Sequence, residues 1–146
     1  MFRSRYEHSL DDKGRLSIPA KYRELLQQRG QSVLFLAELD GCVQAFPMDE
    51  WRRIEEKLVA KGTMERNVKD LLRLVLSSSV EAPLDAQGRI LIPPAMRQSA
   101  ELNRGVMLVG MLSRFEIWGR GRWARFLASA KKARGRLTET LAEIGV

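Results

Sequence analysis

Two arginines carry the chemistry on offer in this sequence. Arg15 and Arg89 each close a short word that opens on an aspartate: Asp11 to Arg15 in "LDDKGRLSIP", and Asp85 to Arg89 in "LDAQGRILIP". A guanidinium is planar, permanently charged and fork-shaped, so it matches a phosphate or the acceptor edge of guanine bidentately. Each arginine has two readings at this level. It faces outward from a β-ribbon and engages an anion, or it pairs with the aspartate four residues earlier and only braces the turn. Asp11 and Asp85 read as turn formers whose side chains bond the amides ahead of them. Gly14 and Gly88 supply the positive φ that such a turn needs. Reading Asp11 and Asp85 as a carboxylate pair for acid–base work needs assumptions that the turn reading does not. Neither glycine belongs to a GxxxxGK[ST] phosphate loop.

Further cations cluster near the first turn: Arg3, Arg5, Lys13, Lys21 and Arg23. They are candidates for phosphate contacts, which position a protein without reading sequence. Taken singly, each is also explained as solvated surface charge. A second basic stretch runs from Arg114 to Arg136, and reads either as another electrostatic footprint or as a solvated helix face. The single histidine, His8, and the single cysteine, Cys42, supply neither a zinc-ligand cluster nor a nucleophile with a visible partner. No catalytic residue, metal or cofactor is expected.

The elements that position the arginines are written twice. At an offset of 74, Leu10, Asp11, Gly14, Arg15, Ile18, Pro19 and Arg23 meet Leu84, Asp85, Gly88, Arg89, Ile92, Pro93 and Arg97. With small gaps, "SVLFLAELDGCVQAFPMDEW" (32–51) continues against "GVMLVGMLSRFEIWGRGRW" (105–123). Val33 meets Val106, Phe46 meets Trp118, and Trp51 meets Trp123. This is an internal duplication with pseudo-two-fold symmetry, its units at 1–76 and 77–146. Each unit predicts a strand, the Asp-x-x-Gly turn, a returning strand ("RLSI", "RILI") and a second hairpin. In the returning strand Leu16 and Ile18 share one face and Arg15 and Ser17 the other. Pro19 and Pro93 end the pairing and open a helix. Amphipathic helices follow: "AKYRELLQQ" in the first unit, then one stripe with Trp51, Ile54 and Leu58. Val68, Leu71, Leu72 and Val75 form another, and Trp123, Phe126 and Leu127 a third. "RLTETLAEIG" predicts a frayed terminal helix, and Gly62 and Thr63 a break between the middle helices.

Bulk properties agree with a binding protein. The 146 residues are 45% hydrophobic, enough for a core, but a half of this chain alone would be marginal, so the halves must share a core. Net charge is +7 and the pI near 10.1, which favours an anionic partner. No stretch approaches 18 consecutive apolar residues, and the N-terminus has no apolar signal-peptide centre. A cytoplasmic protein that does not span the membrane is expected.

The opening "MFRSRYEHSLDDKGRLSIPAKYRELL" and the later "EAPLDAQGRILIPPAMRQ" resemble the MraZ family of bacterial transcriptional regulators. Its paired DxxxR motifs match Asp11 to Arg15 and Asp85 to Arg89, and "VMLVG" (106–110) and "FEIW" (115–118) also fit. The resemblance spans essentially the whole chain. It implies an α+β fold of two tandem SpoVT/AbrB-like swapped-hairpin β units, forming a pseudo-two-fold barrel with flanking helices. It implies a homo-oligomeric ring, nucleoid-associated, that binds double-stranded DNA. The site would be repeated G-rich boxes in the promoter of the division and cell-wall gene cluster, usually repressed. The DNA-facing surface would carry Arg15 and Arg89, with Lys13, Arg3 and Arg5 beside them. Ser4 stands where the family often has glycine, and the basic 120–136 stretch departs from an acidic C-terminal helix of some relatives. The rival classes are an RNA- or acidic-protein-binding module using the same turns, and an assembly protein whose product is the ring.

Overall fold

Each half of the chain writes strand, turn, short strand, helix, hairpin, helix. The computed structural model describes all 146 residues. Its first half forms β1 (Arg5–Ser9), β2 (Arg15–Ser17), α1 (Ala20–Gln28), β3 (Val33–Leu39), β4 (Cys42–Pro47), α2 (Met48–Lys61) and α3 (Arg66–Leu74). A short 3-10 helix at Leu76–Ser78 leads into β5 (Val80–Pro83), β6 (Arg89–Leu91), α4 (Pro94–Ser99), β7 (Gly105–Gly110), β8 (Phe115–Gly119), α5 (Arg120–Lys132) and α6 (Arg134–Glu143). Local chemistry explains the punctuation. Pro19 and Pro93 stand at the N-cap positions of α1 and α4, one place earlier than expected, and Ala20 and Pro94 take the first helical positions. Gly62, at φ 111, ends α2 at the expected break. Asp40 and Gly41, both at positive φ, make the two-residue link between β3 and β4.

The strands form one antiparallel six-stranded sheet, β1-β7-β8-β4-β3-β5, and a two-stranded ribbon, β2-β6. Exchanging the halves reverses the sheet order without changing it, so the pseudo-two-fold passes between β4 and β8. The pairing departs from the expected order in one respect. The returning strand β2 does not ladder with β1; the two are joined by a hydrogen bond between His8 Nδ1 and Ser17 O and by a Leu10–Leu16 bridge just past β1, while β2 pairs with its counterpart β6. Meanwhile β1 crosses to β7 of the second half, and β5 crosses to β3 of the first. No closed barrel is seen: β1 and β5 end the sheet, and the ribbon lies over it as a separate layer. The ladder also shifts the hand alignment by one residue. His8 faces Val106 and its counterpart Ala82 faces Leu34, so Val106 matches Leu34 and not Val33. Burial agrees, since Leu34 and Val106 are both fully buried.

One face of the sheet and the ribbon enclose the main core. It draws Leu16, Ile18, Leu34, Leu36 and Val43 from the first half and Ile90, Ile92, Val106, Leu108 and Ile117 from the second. Burying each such side chain is worth about 1.5–3 kcal/mol, and the two halves contribute to one shared core. The other face carries two smaller clusters. Phe35, Ala37 and Phe46 pack under Trp51 of α2, while Cys42 and Trp118 pack under Trp123 of α5. Covered on both faces, the central strands read as near-continuous apolar runs.

Candidate nucleic-acid interface

The two Asp-x-x-Gly-Arg turns fold alike. Asp11 Oδ1 accepts from the backbone N–H of Lys13 at 3.0 Å and of Arg15 at 2.8 Å, and its Oδ2 accepts from Arg15 Nε at 2.6 Å. Asp85 repeats the set with Gln87 N–H, Arg89 N–H and Arg89 Nε, each at 2.9 Å. Gly14 and Gly88 sit at φ 82 and 74 and donate their N–H groups back to the aspartate carbonyls. The bracing aspartate therefore exists in both turns. Amide donation, from Arg15 foremost, with help from its guanidinium, holds the Asp11 carboxyl down to about 2; the same causes lower Asp85.

Bracing and outward presentation turn out to coexist. The aspartate takes only the inner Nε of each arginine. Both terminal nitrogens of Arg15 have no partner within the chain, and Arg89 shares only Nη2, with Gln87 Oε1 at 3.3 Å. The side chains are 33% and 28% exposed. The ribbon register sets Ser17 opposite Arg89 and Arg15 opposite Leu91. Directly paired residues project to one side, so Arg15, Ser17, Arg89 and Leu91 share the outer face while Leu16 and Ile90 point into the core. The arginines are diagonal neighbours there, roughly 7–8 Å apart by ladder geometry. Two carboxylate-steadied guanidinium edges on one exposed face can grip a polyanion together.

The remaining predicted residues do not all join them. Lys13 lies exposed in the first turn. Arg3 lies beside α1, where its carbonyl and that of Ser4 accept from the buried Tyr22 hydroxyl. Ser4 is at φ 71, a conformation glycine takes without strain. Arg5 sits on the other face of the sheet: it pairs with Val109, and its guanidinium lies 5.6 Å from the Trp123 ring under α5. Arg23 reaches the Gly88 turn, and Arg97, which sequence reasoning placed only as its counterpart, reaches the Gly14 turn. The duplication alignment of Arg23 with Arg97 was the one signal for that pair.

The basic C-terminal stretch divides in two. Arg114 donates to Gln44 Oε1 at 2.7 Å, Arg120 approaches Glu7 at 3.8 Å, and Arg122 and Arg125 both reach Glu101. Lys131, Lys132, Arg134 and Arg136 make no ion pair. Cys42 is fully buried, and burial together with the neighbouring Glu116 pushes its thiol up, so no reactive thiolate forms at neutral pH. No helix is long and apolar enough to cross a membrane.

Comparison with known proteins agrees with this duplicated geometry. A family model for MraZ protein, described as antitoxin-like, matches twice, at residues 1–74 and 75–142. Proteins named transcriptional regulator MraZ are similar over the full length of both chains. Those of Desulfitobacterium hafniense (strain DSM 10664 / DCB-2), Pediococcus pentosaceus and Halothermothrix orenii are 38%, 37% and 35% identical over 146 residues. These relatives are named as transcriptional regulators. With two matched units that together span nearly every residue, this chain belongs to the MraZ family.

Proposed function

We propose that the chain is a sequence-specific transcriptional regulator that binds double-stranded DNA through the outer face of the β2-β6 ribbon. Arg15 and Arg89 reach base edges in repeated G-rich promoter boxes of the division and cell-wall gene cluster, and binding represses it. Lys13 neutralises phosphate at the first turn, and Arg3, beside α1, and Arg5, beyond the sheet, contribute to the field from farther off. The observation that carries this reading is the pair of arginines on one exposed ribbon face, each steadied through Nε, with both terminal nitrogens of Arg15 and Nη1 of Arg89 free. Each good bidentate contact to guanine is worth about 1–3 kcal/mol of discrimination. Phosphate neutralisation adds affinity that falls steeply with salt.

The crossing of β1 and β5 into the opposite halves supports reading each unit as a swapped-hairpin unit, with 1–76 and 77–146 as the two units. The protein works as a homo-oligomeric ring, cytoplasmic and nucleoid-associated, without a cofactor. Exposed Phe126 on α5, Leu137 and Leu141 on α6, and Ile144 just past it offer apolar surface for contact between chains. A ring presenting repeated ribbons to repeated boxes gains avidity of roughly 10²–10⁴ without new contacts.

The test is a titration of promoter repeats, matched RNA and an acidic polymer at equal salt. Duplex DNA carrying the repeats should bind tightest, with a negative slope of log affinity against log salt. Equal affinity for all three polyanions would remove sequence reading from the proposal. If a variant that breaks the ring abolished regulation while Arg15→Ala and Arg89→Ala did not, the assembly reading would replace it.

A further inference from the structure

Neither turn is held by its own half alone. A Cβ built on Gly14 would lie 2.5 Å from Cζ and 2.6 Å from Nε of Arg97. On Gly88 it would lie 2.8 Å from Nη1 of Arg23, and closer still to that side chain's Cδ. Arg97 belongs to α4 in the second half, and Arg23 to α1 in the first. So the space a side chain would occupy at each turn glycine is filled by an arginine of the opposite half. The backbone follows the same pattern: Ile92 N–H donates to Gly14 O and Ile18 N–H to Gly88 O, both at 3.0 Å. Arg97 is anchored in turn by its Nε, which donates to Ile92 O at 2.9 Å. A positive φ by itself accounts for a glycine, but not for a guanidinium from the other half lying against it.

We infer that Arg97 and Arg23 are positioning residues that set the two DNA-reading turns crosswise: Arg97 holds the turn at 11–15, and Arg23 holds the turn at 85–89. This deepens the DNA-binding reading above and rests on it for its functional consequence. The flat guanidinium serves as a platform that a lysine cannot replace. The two reading heads are thereby built jointly by both units, and a change in one unit's helix is felt at the other unit's turn.

Hydrogen exchange followed by mass spectrometry on the full chain tests the placement without DNA. Arg97→Ala should speed exchange across residues 11–15 by roughly tenfold and leave 85–89 unchanged, and Arg23→Ala should do the reverse. Unchanged exchange, or a disturbance of both turns alike, overturns the inference. Arg97→Lys, which keeps the stem and the charge, should show the same one-sided loosening and serves if the alanine variant does not fold. Stability cycles add a second readout. Gly14→Ala should cost less in an Arg97→Ala background than alone, and should be additive with Arg23→Ala. Additivity in both pairs also overturns it.

A salt series with promoter duplex then separates positioning from direct contact. Arg97→Ala should lower affinity roughly tenfold, as for one lost contact, with the salt slope unchanged. A slope reduced by about 0.9 would make Arg97 a phosphate ligand instead. If the exchange pattern holds but Arg15→Ala leaves DNA affinity unaltered, the clamp stands and the DNA reading falls.

Discussion

The turn at 11–15 and the turn at 85–89 share a backbone and differ in the charge they present. Their aspartates accept the same three bonds, and their glycines take nearly the same positive φ. Between them, Lys13 stands against Gln87 and Asp12 against Ala86. Gln87 engages Arg89 Nη2, whereas both terminal nitrogens of Arg15 are free. Asp12 is taken up by Arg104 at 2.8 Å, leaving Lys13 unopposed within the turn. Asp and Gly thus specify the shape of the turn, and the two residues between them set its electrostatic strength. A duplicated gene product can keep the first constant and vary the second.

The comparison is open to attack at several points. Arg15→Ala should weaken binding to promoter repeats by about 1–3 kcal/mol, or roughly five- to more than a hundredfold, with an unchanged circular dichroism spectrum. Arg89→Ala should cost less, because its turn carries less charge and part of its guanidinium is already engaged. A gel-shift titration that ranks the two the other way round would break the proposed inequality.

Asp11→Asn probes whether the brace helps or competes. The amide keeps an acceptor for the Lys13 and Arg15 N–H groups but turns a donor toward Arg15 Nε. Affinity should fall several-fold, roughly the worth of a solvent-accessible ion pair, while the fold persists. A gain in affinity would mean that the carboxylate merely competes with DNA for the arginine.

Gln87→Lys should make the second turn resemble the first. It frees Arg89 Nη2 and adds a cation, so affinity should rise and the salt slope steepen by about 0.9. Lys13→Gln should move both quantities the opposite way. No change in either slope would show that position 13 and position 87 lie off the phosphate path.

The smallest effect lies in pH. The folded Asp11 carboxyl is depressed from 3.8 to about 2, so the stability it lends is fully present above its unfolded value and is lost as pH falls through the folded one. The first turn should therefore hold unchanged through neutral pH and loosen only in strong acid. An NMR titration of the Asp11 carboxyl should give a midpoint near 2, and a midpoint at the ordinary aspartate value would deny the brace.

Much of this was legible in the residues. Alternation placed Leu16 and Ile18 inside and Arg15 and Ser17 outside, because a strand side chain has only two directions. Asp-x-x-Gly wrote both turns, and apolar spacing with Gly62 wrote the helices and the break between them. Strand partners were harder. Nothing in "RLSI" distinguishes pairing with the strand before it from pairing with "RILI" more than seventy residues away, since both partners satisfy the same alternation. Arg5 shows the same limit. Nearness in sequence to the first turn grouped it with Arg15, yet β1 presents it on the opposite face of the sheet, over Trp123.

By itself, then, the sequence determined the duplication, which is a recurrence of residue types along the chain, and the shape of each turn and the outward side of each arginine, which depend on contacts within a few residues. Tertiary structure alone decided that the two ribbon strands pair with each other, bringing Arg15 and Arg89 onto one face. It alone placed Arg97 against Gly14 and Arg23 against Gly88. Those outcomes depend on which distant surfaces bury the most apolar area together, and local sequence patterns do not encode that choice of partner.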